Sequence, residues 1–290
     1  MNGIITLTNA LLDLSHELSG RDLRLIVGGG FGIYLKHYDL LKTGSRTLLS
    51  RWPEPRSTND LDLFLRVELL ANSLRLEPLV TALDRLGYRP VETAKYYQFC
   101  KPGPEGDAAG SLKIDILTGP EQILKNAGVI AKDRRARPRP KIHLHARTID
   151  EALTLEEHLK EVFIEGHRTD GEKEIAAVLL PHPFTFLIMK LFALRDRMHD
   201  PEKDYGRHHA LDLYTVLAIM TEEEWEVALE LHKKHRLDAK MIEAGELVHQ
   251  LFRDESSLGV LRLRESNYYR SDFQLNEFLR ALNDLFVQAG

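Results

Sequence analysis

Apolar positions at Leu7, Leu11, Leu12, Leu14 and Leu18 recur with a helical period and stop at Gly20, which predicts a helix over 4–19. A short apolar run, Leu25 to Val27, reads as a buried strand. The glycine turn Gly28–Gly30 follows it and opens a helix from Phe31 to Tyr38, which fades at Lys42-Thr43-Gly44. Its apolar positions are Ile33, Leu35, Tyr38 and Leu41, and Ser45 to Asn59, with Pro53 and Pro55, reads as a loop. Strict alternation then appears in Asp60-Leu61-Asp62-Leu63-Phe64-Leu65. On a strand this sends Asp60 and Asp62 to one face and Leu61, Leu63 and Leu65 to the other. A helix is predicted over 68–86, closed by Gly87, with Leu70, Leu74, Leu79 and Leu83 in the core. Strands follow around 88–91, 96–100 and 112–117. The Gly- and Pro-rich stretch 101–110 reads as a hairpin turn that makes the last two antiparallel. In the last of them Leu112, Ile114 and Ile116 point inward and Asp115 points outward, beside the strand of Asp60 and Asp62.

The pattern changes beyond residue 130. Lys132, Arg134, Arg135, Arg137, Arg139, Lys141 and Arg147 make a basic segment in which Pro138 and Pro140 disfavour a helix, so an extended arm is predicted. Such an arm is either a solvated edge or a contact for RNA or nucleotide. His143 and His145 alternate with Leu144 but lack the further ligands of a zinc site. A domain boundary is placed near Glu174, after the turn 166–171, which divides the chain into 1–174 and 175–290. Pro183 opens a helix through Arg197, and Lys190 and Arg197 lie two turns apart on nearly one face. Lys190 is surrounded by Phe186 to Phe192, all otherwise apolar, so it is expected to point at something. The remainder reads as helical, with Leu211–Ile219 a helix and capping boxes at Thr221–Glu224 and Ser271–Gln274. The fold class is therefore α+β: a mixed sheet with flanking helices, followed by a C-terminal helical bundle.

Composition narrows the function classes without choosing one. A chain of 290 residues with 43% hydrophobic content can pack one large domain or two ordinary ones. A net charge of −5 argues against bulk electrostatic binding of nucleic acid. Cys100, the single cysteine, excludes an internal disulfide and fits a cytoplasmic protein, and no export signal or membrane span is expected.

The paired carboxylates carry the chemistry. Asp60 and Asp62 repel each other on one face, and a hard divalent cation, Mg²⁺ or Mn²⁺, relieves that repulsion while leaving room for phosphates. Asp115 supplies a third acid, and backbone N–H groups of Gly28, Gly29 and Gly30 at a helix start can cradle phosphate oxygens.

The Gly-Gly turn, the Arg56-x-Thr58-x-Asp60-Leu61-Asp62 segment and Asp115 in Lys113-Ile114-Asp115-Ile116 resemble the nucleotidyltransferase superfamily. The similarity is to its AbiEii/AbiGii toxin-like branch, whose helical half carries Lys, Arg and Asp-Leu elements echoed by Pro183–Arg197 and Ala210–Tyr214. Where that family often has Ser or Thr after the glycine pair, this chain has Gly30 or Phe31. The resemblance implies transfer of a nucleoside monophosphate from an NTP to an acceptor, with release of pyrophosphate. Asp60, Asp62 and Asp115 would hold metal, and Asp115 would also accept the acceptor's proton. Gly28–Gly30, Arg56, Thr58 and Arg197 would bind the nucleotide, and Lys190 would neutralise the leaving pyrophosphate. An RNA or tRNA acceptor and an antitoxin protein are the partners it implies. Two other readings stand beside it. A dinucleotide site fails because the third fingerprint glycine would fall at Ile33. A catalytically inactive binding or regulatory module is the remaining alternative.

Overall fold

In the computed structural model the described residues are 2–54, 56, 58–94, 96–102 and 111–287. They form a mixed sheet with flanking helices, followed by a helical bundle. The chain divides into two compact units: Met1–Asp39, Ser57–Asp150 and Leu155–Pro181 make the first, and Leu40–Arg56, Glu151–Thr154 and His182–Gly290 the second. The boundary expected at 174/175 falls inside a strand, because the apolar run Ile175–Leu180 completes a sheet ladder, and the last crossing into the second unit comes after Pro181.

The first unit opens with α1 (Asn2–Glu17), whose Leu7, Leu11, Leu12, Leu14 and Leu18 neighbours are buried. Strand β1 (Ile26–Val27) leads into α2 (Gly29–Thr43), and β2 (Asp60–Leu65) follows. The helix expected over 68–86 is broken into α3 (Val67–Ala71), a 3₁₀ turn (Ser73–Leu76) and α4 (Glu77–Arg85). Asn72 leaves helical geometry at φ −133° and ψ 87°, and Pro78 begins a new helix in its first turn. Leu74 is consequently exposed, while Leu70, Leu79 and Leu83 are buried as the pattern requires. Gly87, at φ +84°, ends α4, and Tyr88 N donates back to Leu83 O.

Strands β3 (Arg89–Pro90), β4 (Gln98–Lys101) and β5 (Leu112–Thr118) come next; the turn expected between the last two lies mostly at 103–110, outside the described residues. A short helix α5 (Glu121–Asn126) precedes β6 (Ile130–Lys132), β7 (Arg135–Arg137) and β8 (Ala146–Thr148). The basic segment is thus built into the sheet. Asp133 and Arg134, at φ 54° and 55°, supply the two left-handed central residues that a tight hairpin between β6 and β7 needs. The hairpin β9 (Lys160–His167) and β10 (Lys173–Leu180) completes the sheet, whose order is β6-β7-β8-β5-β2-β1-β10-β9, with β3 and β4 branching from β5. Helix α1 lies on the β9–β10 hairpin: His16 Nδ1 is 2.7 Å from Glu174 Oε2, Thr169 N donates to Asp13 Oδ1 at 3.0 Å, and Leu12 packs near Gly166. At its other side Arg85 of α4 reaches Glu17 at 3.3 Å.

The second unit is helical: α6 (Pro183–Arg197), α7 (Arg207–Ala218), α8 (Glu222–His235), α9 (Ala239–Leu251), α10 (Leu258–Arg264) and α11 (Leu275–Phe286). Pro183 sits in the first turn of α6, as expected, and most of that helix is buried all round. Thr221 and Glu224 form the predicted capping box of α8. The box expected at Ser271–Gln274 does not form, because α11 begins only at Leu275; Gln274 Oε1 instead accepts from Ser50 N at 2.8 Å. Tyr214 stacks on Phe273 with ring centroids 4.4 Å apart, and its hydroxyl donates to Arg51 O. No described helix is long and apolar enough to cross a membrane.

Candidate functional site

The sheet unit brings the predicted acids to one face. Strands β2 and β5 run parallel with Asp62 directly opposite Asp115 and Asp60 opposite Lys113, while Leu61, Leu63, Ile114 and Ile116 fill the core behind them. Asp60 is exposed; Asp62 and Asp115 are half-buried. Gln98 Nε2 on the neighbouring β4 donates to Asp115 Oδ1 at 2.7 Å. Burial pushes the Asp115 carboxyl above its ordinary range; the Gln98 hydrogen bond opposes this, and the negative charge of Asp60 adds to it.

The glycine turn is fitted against the middle acid. Gly28 N donates to Asp62 O at 2.9 Å, and Gly29, at φ +61°, begins α2. A methyl group built on Gly29 would stand 1.7 Å from Asp62 Oδ2, and one on Gly28 would stand 2.3 Å from Phe64 Cε2. Only glycine permits that approach. The Asp62 carboxylate therefore lies against the N-terminal turn of α2, where the helix dipole favours negative charge. Gly30 continues the same turn, and Thr58 is half-buried in the segment before β2.

The other expected ligands belong to the helical unit. Lys190, buried on α6, places Nζ 2.6 Å from Asp212 Oδ2 on α7. Arg56 makes a two-point contact with the same carboxylate, Nε to Oδ1 at 3.0 Å and Nη2 to Oδ2 at 3.1 Å. Burial raises the Asp212 pKa, but the charges of Lys190 and Arg56 outweigh it and hold the carboxyl far below the usual range. Arg197 donates to Ala193 O within its own helix. His209, one turn before Asp212, feels burial first, then the Lys190 charge; Asp212 opposes and Arg197 and Arg56 add, and its pKa is lowered to about 2. It is therefore neutral near pH 7, and its Nδ1 has no hydrogen-bond partner among the described residues. Two cations, Lys190 and Arg56, around one carboxylate leave this group net cationic.

Asp212 and His209 carry the largest perturbations in the helical unit's polar core, yet sequence reasoning gave neither a role. The signals available were the Ala210–Tyr214 echo of the Asp-Leu element and the polar interruption of His208-His209 and Asp212 within an otherwise apolar helix. Among the described residues no group of three or more His, Cys, Asp or Glu side chains is placed to hold a metal ion. Asp62 and Asp115 form a two-carboxylate pair, and Asp60 stands beyond them on the same face. No family model matches the chain, and no curated protein matches it.

Proposed function

We propose that the chain is a metal-dependent nucleotidyltransferase, moving a nucleoside monophosphate from an NTP to an acceptor hydroxyl. The observation that carries this reading is the Asp62–Asp115 pair with the glycine turn of α2 pressed against Asp62. Their oxygens fit Mg²⁺ or Mn²⁺, because Mg²⁺ is commonly held by one or two carboxylates and completes its shell with water and substrate phosphates. When bound, the ion would supply charge neutralisation at the phosphates.

In the proposed reaction the acceptor oxygen attacks the α-phosphorus, the bond from that phosphorus to the pyrophosphate oxygen breaks, and pyrophosphate leaves. Asp60 and Asp62 would hold the ion, and Asp115 would share in that and accept the acceptor's proton. The N–H groups of Gly29 and Gly30, in the first turn of α2, would receive phosphate oxygens, while Gly28 N is already bonded to Asp62 O. By resemblance, Lys190, Arg56 and Arg197 extend the proposal as the cations that would neutralise a developing pyrophosphate charge. An RNA or tRNA acceptor, and an antitoxin partner, extend the proposal by resemblance. A second reading, an inactive binding module, is favoured by the Gln98 bond that already satisfies Asp115.

The test is incubation with each labelled NTP and total cellular RNA or lysate, in Mg²⁺ and in EDTA. Label should move to a macromolecule only with Mg²⁺, and Asp62→Asn should lower the rate by at least ~100-fold with the fold intact. Full activity in Asp62→Asn would remove the proposal; Mg²⁺-dependent NTP binding without any transfer would install the binding-module reading.

A further inference from the structure

A cleft lies in the sheet unit, with a volume of about 610 Å³, within the range of small-molecule sites. Its walls are the faces of Arg135 and Arg137 on β7, Lys141 beyond it, and the rings of Tyr96 and His143. Register shows why the cations gather there. Ala136 turns into the core, so Arg135 and Arg137 share the opposite face. Directly across from Arg135 stand Lys132 on β6 and Arg147 on β8, which makes a row of three cations across three adjacent strands. Like charges opposite each other on a sheet are destabilising. Among the described residues no ion pair neutralises Lys132, Arg135, Arg137 or Lys141, while the charge of Arg147 acts on Asp115. Glu92, at the rim, is the acid lining the cleft.

The aromatic wall is equally constructed. Tyr96 stacks on His143 with centroids 5.0 Å apart and planes 6° from parallel, and meets the edge of His145 at 5.5 Å. Tyr96 holds φ +72°, which non-glycine residues rarely adopt, and His145 N donates to its carbonyl at 2.9 Å. Arg147 shares its sheet face with Asp115, since both point out from registered, adjacent strands.

We infer that this cleft is a nucleoside-phosphate site: an aromatic base stacks on the Tyr96–His143 platform, and its phosphate is received by Arg135, Arg137 and Lys141. Flat rings tolerate any base, and guanidinium groups grip phosphate at two points. The inference needs no transfer chemistry, and the residues that line the cleft do not include the acids of β2 and β5.

Calorimetric titration of the full chain tests it, in EDTA and in an Asp62→Asn background so that binding at the carboxylates is suppressed. AMP, adenosine, ribose 5-phosphate and a single-stranded adenylate hexamer are the probes. AMP should bind, with adenosine and ribose 5-phosphate each at least ~5-fold weaker, because each lacks one half of the recognised group. His143→Ala should weaken AMP by roughly 5-fold or more, and His143→Phe should restore it, since stacking needs a ring and not a charge. Arg135→Gln and Arg137→Gln should each weaken AMP as well. If the hexamer binds more tightly than AMP, with a salt slope that drops by about 0.7 on Arg137→Gln, the phosphate comes from a strand. Equal binding of AMP and hexamer assigns the site to a free nucleotide. The inference is overturned if no probe binds, if ribose 5-phosphate matches AMP, or if His143→Ala leaves AMP affinity unchanged.

Discussion

Replacing Asp212 with Asn removes the one carboxylate that Lys190 and Arg56 share. Lys190 and Asp212 are 8% and 5% exposed and their charged atoms are 2.6 Å apart, so this pair is shielded from water. Breaking a buried pair by deleting one partner costs about 3–5 kcal/mol, because the survivor stays buried without compensation. Asp212→Asn takes the carboxylate from both Lys190 and Arg56 and should fall near the upper end, about 5 kcal/mol. Lys190→Met leaves Asp212 with its two-point contact to Arg56, so its cost should be nearer about 3 kcal/mol. Combining the two should cost less than their sum by about 2 kcal/mol, since the residues touch. Urea unfolding of the four proteins, with midpoints compared at a common slope, supplies each value. A strictly additive pair, or an Asp212→Asn cost under about 1 kcal/mol, would refute the buried ion group.

Two further outcomes follow from the same geometry. Gly29→Ala should destabilise by about 2–5 kcal/mol, from left-handed strain and the clash with Asp62, whereas Gly20→Ala, at φ +73° with open space around it, should show the strain of about 1–2 kcal/mol alone; equal costs at both positions in thermal melts would remove the Asp62 contact. His209 has its pKa lowered from 6.5 to about 2 on folding, so below pH 6.5 the unfolded chain takes the proton and the folded chain does not. Its stabilising contribution is complete above that pH and lost on acidification, by about 2 kcal/mol at pH 5. The stability of the parent should therefore fall below that of His209→Asn, relative to their difference at pH 8, and parallel pH curves would rule this out.

Where one physical signal governs an element, the sequence reading matched the structure. Strand β2 and helix α6 lie at the residues that alternation and Pro183 mark, and Asp115 meets Asp62 because both patterns have a period of two. The break at Asn72 was hidden because the leucine spacing runs through it, and the chain turned on backbone geometry and Pro78 instead. The apolar run Ile175–Leu180 fits either a strand or a helix, and its pairing with β9 decided the matter, which is a long-range fact. Lys190 was expected to point at something; which partner it meets depends on α6 and α7 packing side by side, which local spacing does not encode.

The narrowness of β1 has a mechanical consequence. One strand of two residues stitches the β9–β10 hairpin to β2, with Ile26 opposite Leu179 as its single registered pair to β10. Backbone bonds alone would make this a hinge. Helix α1 spans it like a splint, tied to the hairpin through Asp13 and His16 and to α4 through Glu17. Amides of β9 and β10 should accordingly open together in native-state hydrogen exchange, at a lower free energy than those of β2 and β5. Asp13→Ala should lower that threshold for the hairpin alone, and a uniform drop across the sheet would mean that the splint is not a separate part.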